Sequence, residues 1–129
     1  MPNIINRLLA AAVIALAACG SLSVPVTGEI GTQPAQGQAT AKFSGEGTFW
    51  VMTTRGLRCE GIYDSITTQP TITAPITCND GRSGTAIITR TLDMLSGTVI
   101  ARLDDGTEGR FVFGNLSFDQ AFARTIPAR

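Results

Sequence analysis

Three cysteines, a scatter of arginines beside predicted turns and no histidine set the chemistry open to this sequence. Without imidazole, serine or cysteine triads that need it as base are excluded, and so are zinc sites that need it as ligand. Arg82, Arg90, Arg102 and Arg110 fall in successive strands or their turns. Among them Arg82, Arg102 and Arg110 are the candidate anion-binding set, suited to carboxylates, phosphates or glycan acids. Alternation turns Arg102 and Arg110 outward, where arginine also serves merely to keep a sheet soluble and to pair with Glu60 or Glu108. Asp80, Asp104 and Asp105 offer oxygen ligands of the kind calcium takes. Their Asn-Asp-Gly and Asp-Asp-Gly settings are ordinary hairpin chemistry, however, and no calcium-loop spacing surrounds them. Trp50, with Phe49 and Tyr63, suits a carbohydrate or peptide platform, but one tryptophan in so small a domain reads more readily as core. Glu46, Glu60 and Asp64 cannot be placed as a pair flanking a cleft, so no catalytic residue, metal or cofactor is assigned.

The amino terminus says where such a domain works. Arg7 is the only charge among the first 18 residues, and an unbroken apolar run follows it from Leu8 to Ala18. That run falls short of the about 20 residues needed to span a bilayer and ends in small side chains, the layout of a secretory signal. Leu16-Ala17-Ala18-Cys19 resembles the lipobox of bacterial lipoproteins at all its positions. The resemblance implies removal of residues 1–18 and acylation of Cys19, with the lipid bilayer as a partner of that residue. Gly20 stands where an aspartate would signal retention at the inner membrane, so the resemblance favours the periplasmic face of the outer membrane.

With Cys19 acylated, Cys59 and Cys78 are left for each other, and an oxidising periplasm would join them. The mature chain of 111 residues has room for one domain and a linker. Without Arg7 it carries nine basic and ten acidic side chains, a formal charge of −1 that lacks the basic excess of a nucleic-acid binder. Residues 19–40 hold glycine, proline and glutamine without sustained periodicity and read as the acylated cysteine and a flexible tether, with at most a short edge strand at Val24-Pro25-Val26-Thr27.

From residue 41 to 114, β-branched and aromatic residues recur in short runs between glycine turns, the mark of an antiparallel β-domain. Strands are expected at 39–43, 47–54, 57–63, 70–78, 83–91, 95–103 and 108–113. The fold class is thus all-β, a small antiparallel meander of about seven or eight strands closing into a barrel or a strongly coiled sheet. Cys59 shares a face with Leu57, Gly61 and Tyr63, and Cys78 with Ile72, Ala74 and Ile76, so both sulfurs point inward. Pro75, which lacks an N–H, implies an edge or a bulge. Asn79-Asp80-Gly81 and Asp104-Asp105-Gly106 open a weak repeat of two similar hairpins, which places Ala86, Ile88, Phe111 and Phe113 inward with Val99, Ala101 and Leu103. In the tail, 115–129, Ser117 to Gln120 matches a capping box, compatible with one or two helical turns or with disorder.

The segments around Cys59-Glu60-Gly61-Ile62-Tyr63 and Cys78-Asn79-Asp80-Gly81 resemble a pattern found in small uncharacterised proteobacterial lipoproteins, a likeness that carries no activity. The expected function is a non-enzymatic, membrane-anchored interaction or accessory module of the cell envelope, with an envelope protein as partner. The alternative is an inhibitor of a secreted enzyme, of the lysozyme type, or a small anionic-ligand binder. The anchor is directly testable. Cys19→Ala should abolish metabolic labelling with fatty acid and leave the precursor unprocessed or cut elsewhere, so unchanged mass and fractionation would contradict it.

Overall fold

A computed structural model describes residues 20–122; the signal segment and Cys19 lie outside the described residues. Eight antiparallel strands follow one another around a closed barrel: β1 (Ser21–Ile30), β2 (Gln33–Lys42), β3 (Glu46–Thr53), β4 (Arg58–Asp64), β5 (Thr71–Cys78), β6 (Ser83–Arg90), β7 (Gly97–Leu103) and β8 (Glu108–Phe113). β1 closes the barrel by pairing with β8 from Val26↔Phe113 to Ile30↔Gly109.

The expected tether is instead two of these strands. β1 and β2 pair along ten residues each, from Ser21↔Lys42 to Ile30↔Gln33. Their glycine and alanine content is not linker composition but small side chains on the inner face: Ala35 and Ala39 are buried in the core. A Cβ at Gly37 would stand 1.7 Å from the Trp50 carbonyl oxygen, so only glycine lets β3 approach. Pro25 costs no ladder bond, because β8 has ended beside it and its carbonyl accepts from Gly114 N. Only the first residue of the described chain, Gly20, separates Cys19 from β1.

Pro75 behaves in the same way. The β4–β5 ladder runs through only three pairs, Cys59↔Cys78, Glu60↔Thr77 and Gly61↔Ile76, and stops where Pro75 would have had to donate. The expected edge is therefore a local gap in a closed wall, flanked by Ile62–Asp64 on one side and Thr71–Ala74 on the other. The disulfide between Cys59 and Cys78 spans this shortest ladder, with Cα atoms 4.0 Å apart.

Alternation fills the interior with Val26, Ile30, Val51, Ile76, Ile88, Val99, Leu103, Phe111 and Phe113, among small Ala35, Ala39, Ala74, Ala86 and Ala101. Three inward aromatic rings lie across glycines on the neighbouring strand: Tyr63 opposite Gly47, Phe49 opposite Gly61 and Phe113 opposite Gly97. A Cβ at those glycines would meet the rings at 2.4, 2.6 and 2.7 Å, so each ring occupies space that the glycine vacates. Outward positions carry mostly threonines and charges such as Glu60, Arg102 and Arg110, with Met52, Ile62, Ile87 and Ile100 exposed among them, rather than the continuous apolar outer band of a membrane-spanning barrel.

At the far end, Ser117 caps a short helix, α1 (Phe118–Ala121), by accepting from Gln120 N. α1 packs on β8, and outward-facing Val112 is only 2 % exposed. Removing the disulfide by Cys59→Ala with Cys78→Ala should lower stability by roughly 3 kcal/mol, from a loop of about 20 residues. Urea unfolding of oxidised and double-variant protein measures this, and coincident midpoints would contradict it.

Candidate functional site

The two ends of the barrel differ in kind. One end holds the β1–β2, β3–β4, β5–β6 and β7–β8 turns, and three of these four are built alike. Gly56, Gly81 and Gly106 adopt φ of 90°, 93° and 91°, and their amides donate to Thr53, Cys78 and Leu103 carbonyls. This confirms the repeat at Asp80 and Asp105, whose carboxylates accept from Arg82 N and Thr107 N. The other end holds the start of β1, the β2–β3 turn, and the longer β4–β5 and β6–β7 loops. There the barrel opens.

The opening leads into an apolar cavity of about 80 Å³. Its walls include Val26, Val51, Ile76, Ile88 and Phe111, and its mouth is ringed by Leu22, Ala41, Ser65, Arg90, Met94 and Leu95. The space exists because an eight-stranded interior is about filled by ordinary side chains, whereas this one has alanine or glycine at many inward positions.

Arg90 is the unusual member. It ends β6 on the inward parity of Ala86 and Ile88, and it is only 8 % exposed. Nη2 donates to the Thr67 and Gln69 carbonyls at 2.7 and 2.6 Å, and the Arg90 amide donates to the Pro70 carbonyl, so this one residue organises the β4–β5 loop. Its Nε is buried with no hydrogen-bond partner. Among the described residues no carboxylate forms an ion pair with it, although six such pairs occur elsewhere. The charge is felt inside: burial raises the Tyr63 phenol above its ordinary pKa, and the Arg90 cation opposes that rise. Beside Arg90, Met94 has φ of 64°, a left-handed conformation that is strained for a side-chain-bearing residue, in the loop bordering the mouth. Asp93 stabilises that loop by accepting from Thr91 Oγ1 and Leu95 N, bonds that hold its carboxyl below the usual range.

No known protein family matches this chain, and no curated protein or solved structure does either.

The arginines singled out for anion binding do not form a site. Arg82 is taken by Asp80 at 2.8 Å and Asp105 at 3.0 Å, Arg102 by Glu108 at 3.6 Å, and Arg110 by Glu29 at 3.2 Å. Each meets a carboxylate on its own turn, a neighbouring turn or an adjacent strand, so these three do not form a shared face of unpaired cations. Trp50 belongs to neither a core nor a platform with Phe49 and Tyr63. Those two rings point inward, while Trp50 lies on the outer wall beneath the Arg58 guanidinium, 4.5 Å from its centroid. Arg90 was left out of the candidate anion set, although its parity with Ala86 and Ile88 on β6 already signals that it faces inward.

Hydrogen bonds from the Thr107 backbone and side chain, then from Arg82, hold the Asp105 carboxyl down to about 2; backbone bonding from Arg82 depresses Asp80 as well. Carboxylates with depressed pKa stabilise the fold above their unfolded values near 4 and lose that contribution as pH falls toward 2. Arg82→Gln should therefore reduce stability at neutral pH, with the two proteins converging between about pH 4 and pH 2. Thermal melts across that interval measure it, and a gap that persists unchanged at pH 2 would contradict it.

Proposed function

We propose that this protein is a lipid-anchored, non-catalytic module of a bacterial envelope, held by acylated Cys19 at the periplasmic face of the outer membrane. Its barrel takes up a small ligand with an apolar body and a single anionic head. The observation that supports this reading is Arg90, a buried cation without an acidic partner at the mouth of an apolar cavity. A guanidinium withdrawn from water loses hydration, and a carboxylate returns it as charge-assisted hydrogen bonds in geometry that suits its planar fork. The free Nε is the donor left for that purpose.

The walls define the remainder of the ligand. They are aliphatic and aromatic, with Ser65 and Tyr63 as the polar side chains besides Arg90. A water-sized group needs about 10–15 Å³ of such space, so the cavity admits roughly five to eight of them. That corresponds to a saturated chain of about five to eight carbons. Octanoate is accordingly the probe whose body and head match the site.

The lysozyme-inhibitor alternative depended on an arginine face for its target, and acids occupy those arginines. A small anionic ligand inside the barrel depends on Arg90 instead.

Calorimetric titration separates head from tail. Octanoate should bind the wild-type protein more tightly than octan-1-ol does, because only the acid meets Arg90. Arg90→Met, which keeps an apolar side chain there, should weaken octanoate at least about tenfold, or about 1.4 kcal/mol, and leave octan-1-ol unchanged. Equal wild-type affinities for the two compounds would overturn the role of Arg90 even if the variant failed to fold. No binding of either compound would overturn the receptacle.

A further inference from the structure

We infer that the open end of the barrel rests directly on the lipid bilayer, mouth down, through a ring of exposed apolar side chains. This rests on the anchored reading above and goes beyond it, because an acylated cysteine alone says nothing of orientation.

The ring is built from four separate parts of the chain. Leu22 opens β1, Phe43 sits in the β2–β3 turn, Ile66 in the β4–β5 loop, and Leu92 and Leu95 in the β6–β7 loop. Of nine exposed large apolar residues among the described residues, these five lie at this end and the other four, Met52, Ile62, Ile87 and Ile100, lie on strands. Leu92 is fully exposed and Phe43 is 72 % exposed. The opposite end has none of them in its turns, which carry Arg55, Asp80, Arg82, Asp104 and Asp105. Apolar loop tips at one end and charged tips at the other distinguish a side that meets hydrocarbon from a side that meets water.

The chain itself identifies the occupant. β1 starts at Ser21, at the apolar end, and only Gly20 intervenes before Cys19. One extended residue covers about 3.3–3.6 Å, so an acylated sulfur lies within roughly 10 Å of the ring. The bilayer that takes the acyl chains is therefore already at the height of Leu22, and the domain has no slack with which to turn its other end down. Among the described residues, the charged groups near the ring are the Lys42–Glu46 pair, Asp64, Asp93 and the buried Arg90. Asp64 accepts from Ile66 N and Asp93 from Leu95 N, so these acids are bonded within the loops that bear the apolar tips. With acids in excess, attraction to anionic lipid does not hold this end down. The matching surface is a zwitterionic leaflet, such as phosphatidylethanolamine, entered by the apolar tips between its headgroups.

Seated so, the mouth beside Arg90 opens toward lipid rather than toward water, and an amphiphile enters from the membrane.

Depth-dependent quenching tests the orientation on the full-length, membrane-extracted protein in phosphatidylethanolamine vesicles whose acyl chains carry bromine. In a Trp50→Phe background, Leu92→Trp places the fluorophore on the ring and Arg55→Trp places it at the opposite end. Brominated lipid should quench the tryptophan at 92 several-fold more than that at 55. Equal quenching overturns the inference, and so does a blue-shifted tryptophan at 92 that bromine does not reach, which would mean a protein partner or a second copy covers the ring. The mass of the amino-terminal peptide from the same sample separates the two readings. Acylated Cys19 with an unquenched 92 overturns the seating alone, whereas unmodified Cys19 overturns the anchor and the seating together.

Discussion

Everything in this barrel depends on how little its strands put inside it. Eight strands close around a space that ordinary side chains fill, so the inward residues must be chosen to fit one another across the lumen. Here the choice is extreme: alanines and glycines recur on the inner face of nearly every strand, and three aromatic rings lie flat over facing glycines. Those pairs bring β3 and β4 close together, and β7 and β8 likewise. They do not fill the middle. An apolar void then follows from the same residues that permit closure.

Within that setting, one residue type has two fates. Arg82, Arg102 and Arg110 stand outside, where carboxylates on neighbouring strands or turns reach them and water screens what remains. Arg90 differs from the strand-borne Arg102 and Arg110 by parity, and from Arg82 by lying on a strand rather than in a turn. Facing inward, it loses water and has only the Thr67 and Gln69 carbonyls, which accept hydrogen bonds but do not cancel a full charge. The resulting uncompensated cation is expensive to maintain, and it is placed at the mouth of the cavity, against its apolar walls.

Much of this was legible in the residues. Alternation in β5 and the paired Asp-Gly turns fixed strands, faces and hairpins from β3 onward, and inward parity brought Cys59 opposite Cys78. β1 and β2 were hidden because Gly, Ala, Pro and Gln are what a linker also uses. Periodicity in hydrophobicity cannot register a face made of Ala35, Gly37 and Ala39, of which only the two alanines are buried. Both prolines that argued against central strands sit where a neighbouring ladder has ended, a matter of register between distant segments. Trp50 was misplaced for a related reason: its neighbours Gly47 and Phe49 already supply the inner face of β3, leaving the even positions outside.

The way β1 is held also bears on mechanical load. Its backbone is bonded on one side along ten residue pairs with β2 and on the other along five with β8. Antiparallel hydrogen bonds run across the strands, so a pull on Cys19 directed along β1 strains them side by side rather than one after another. Strands loaded in shear give way only when many bonds fail together, whereas an unzipped hairpin yields bond by bond. On the proposed anchoring, a domain fastened by its first strand would bear tension between the lipid and whatever grips its opposite end without opening the cavity between them.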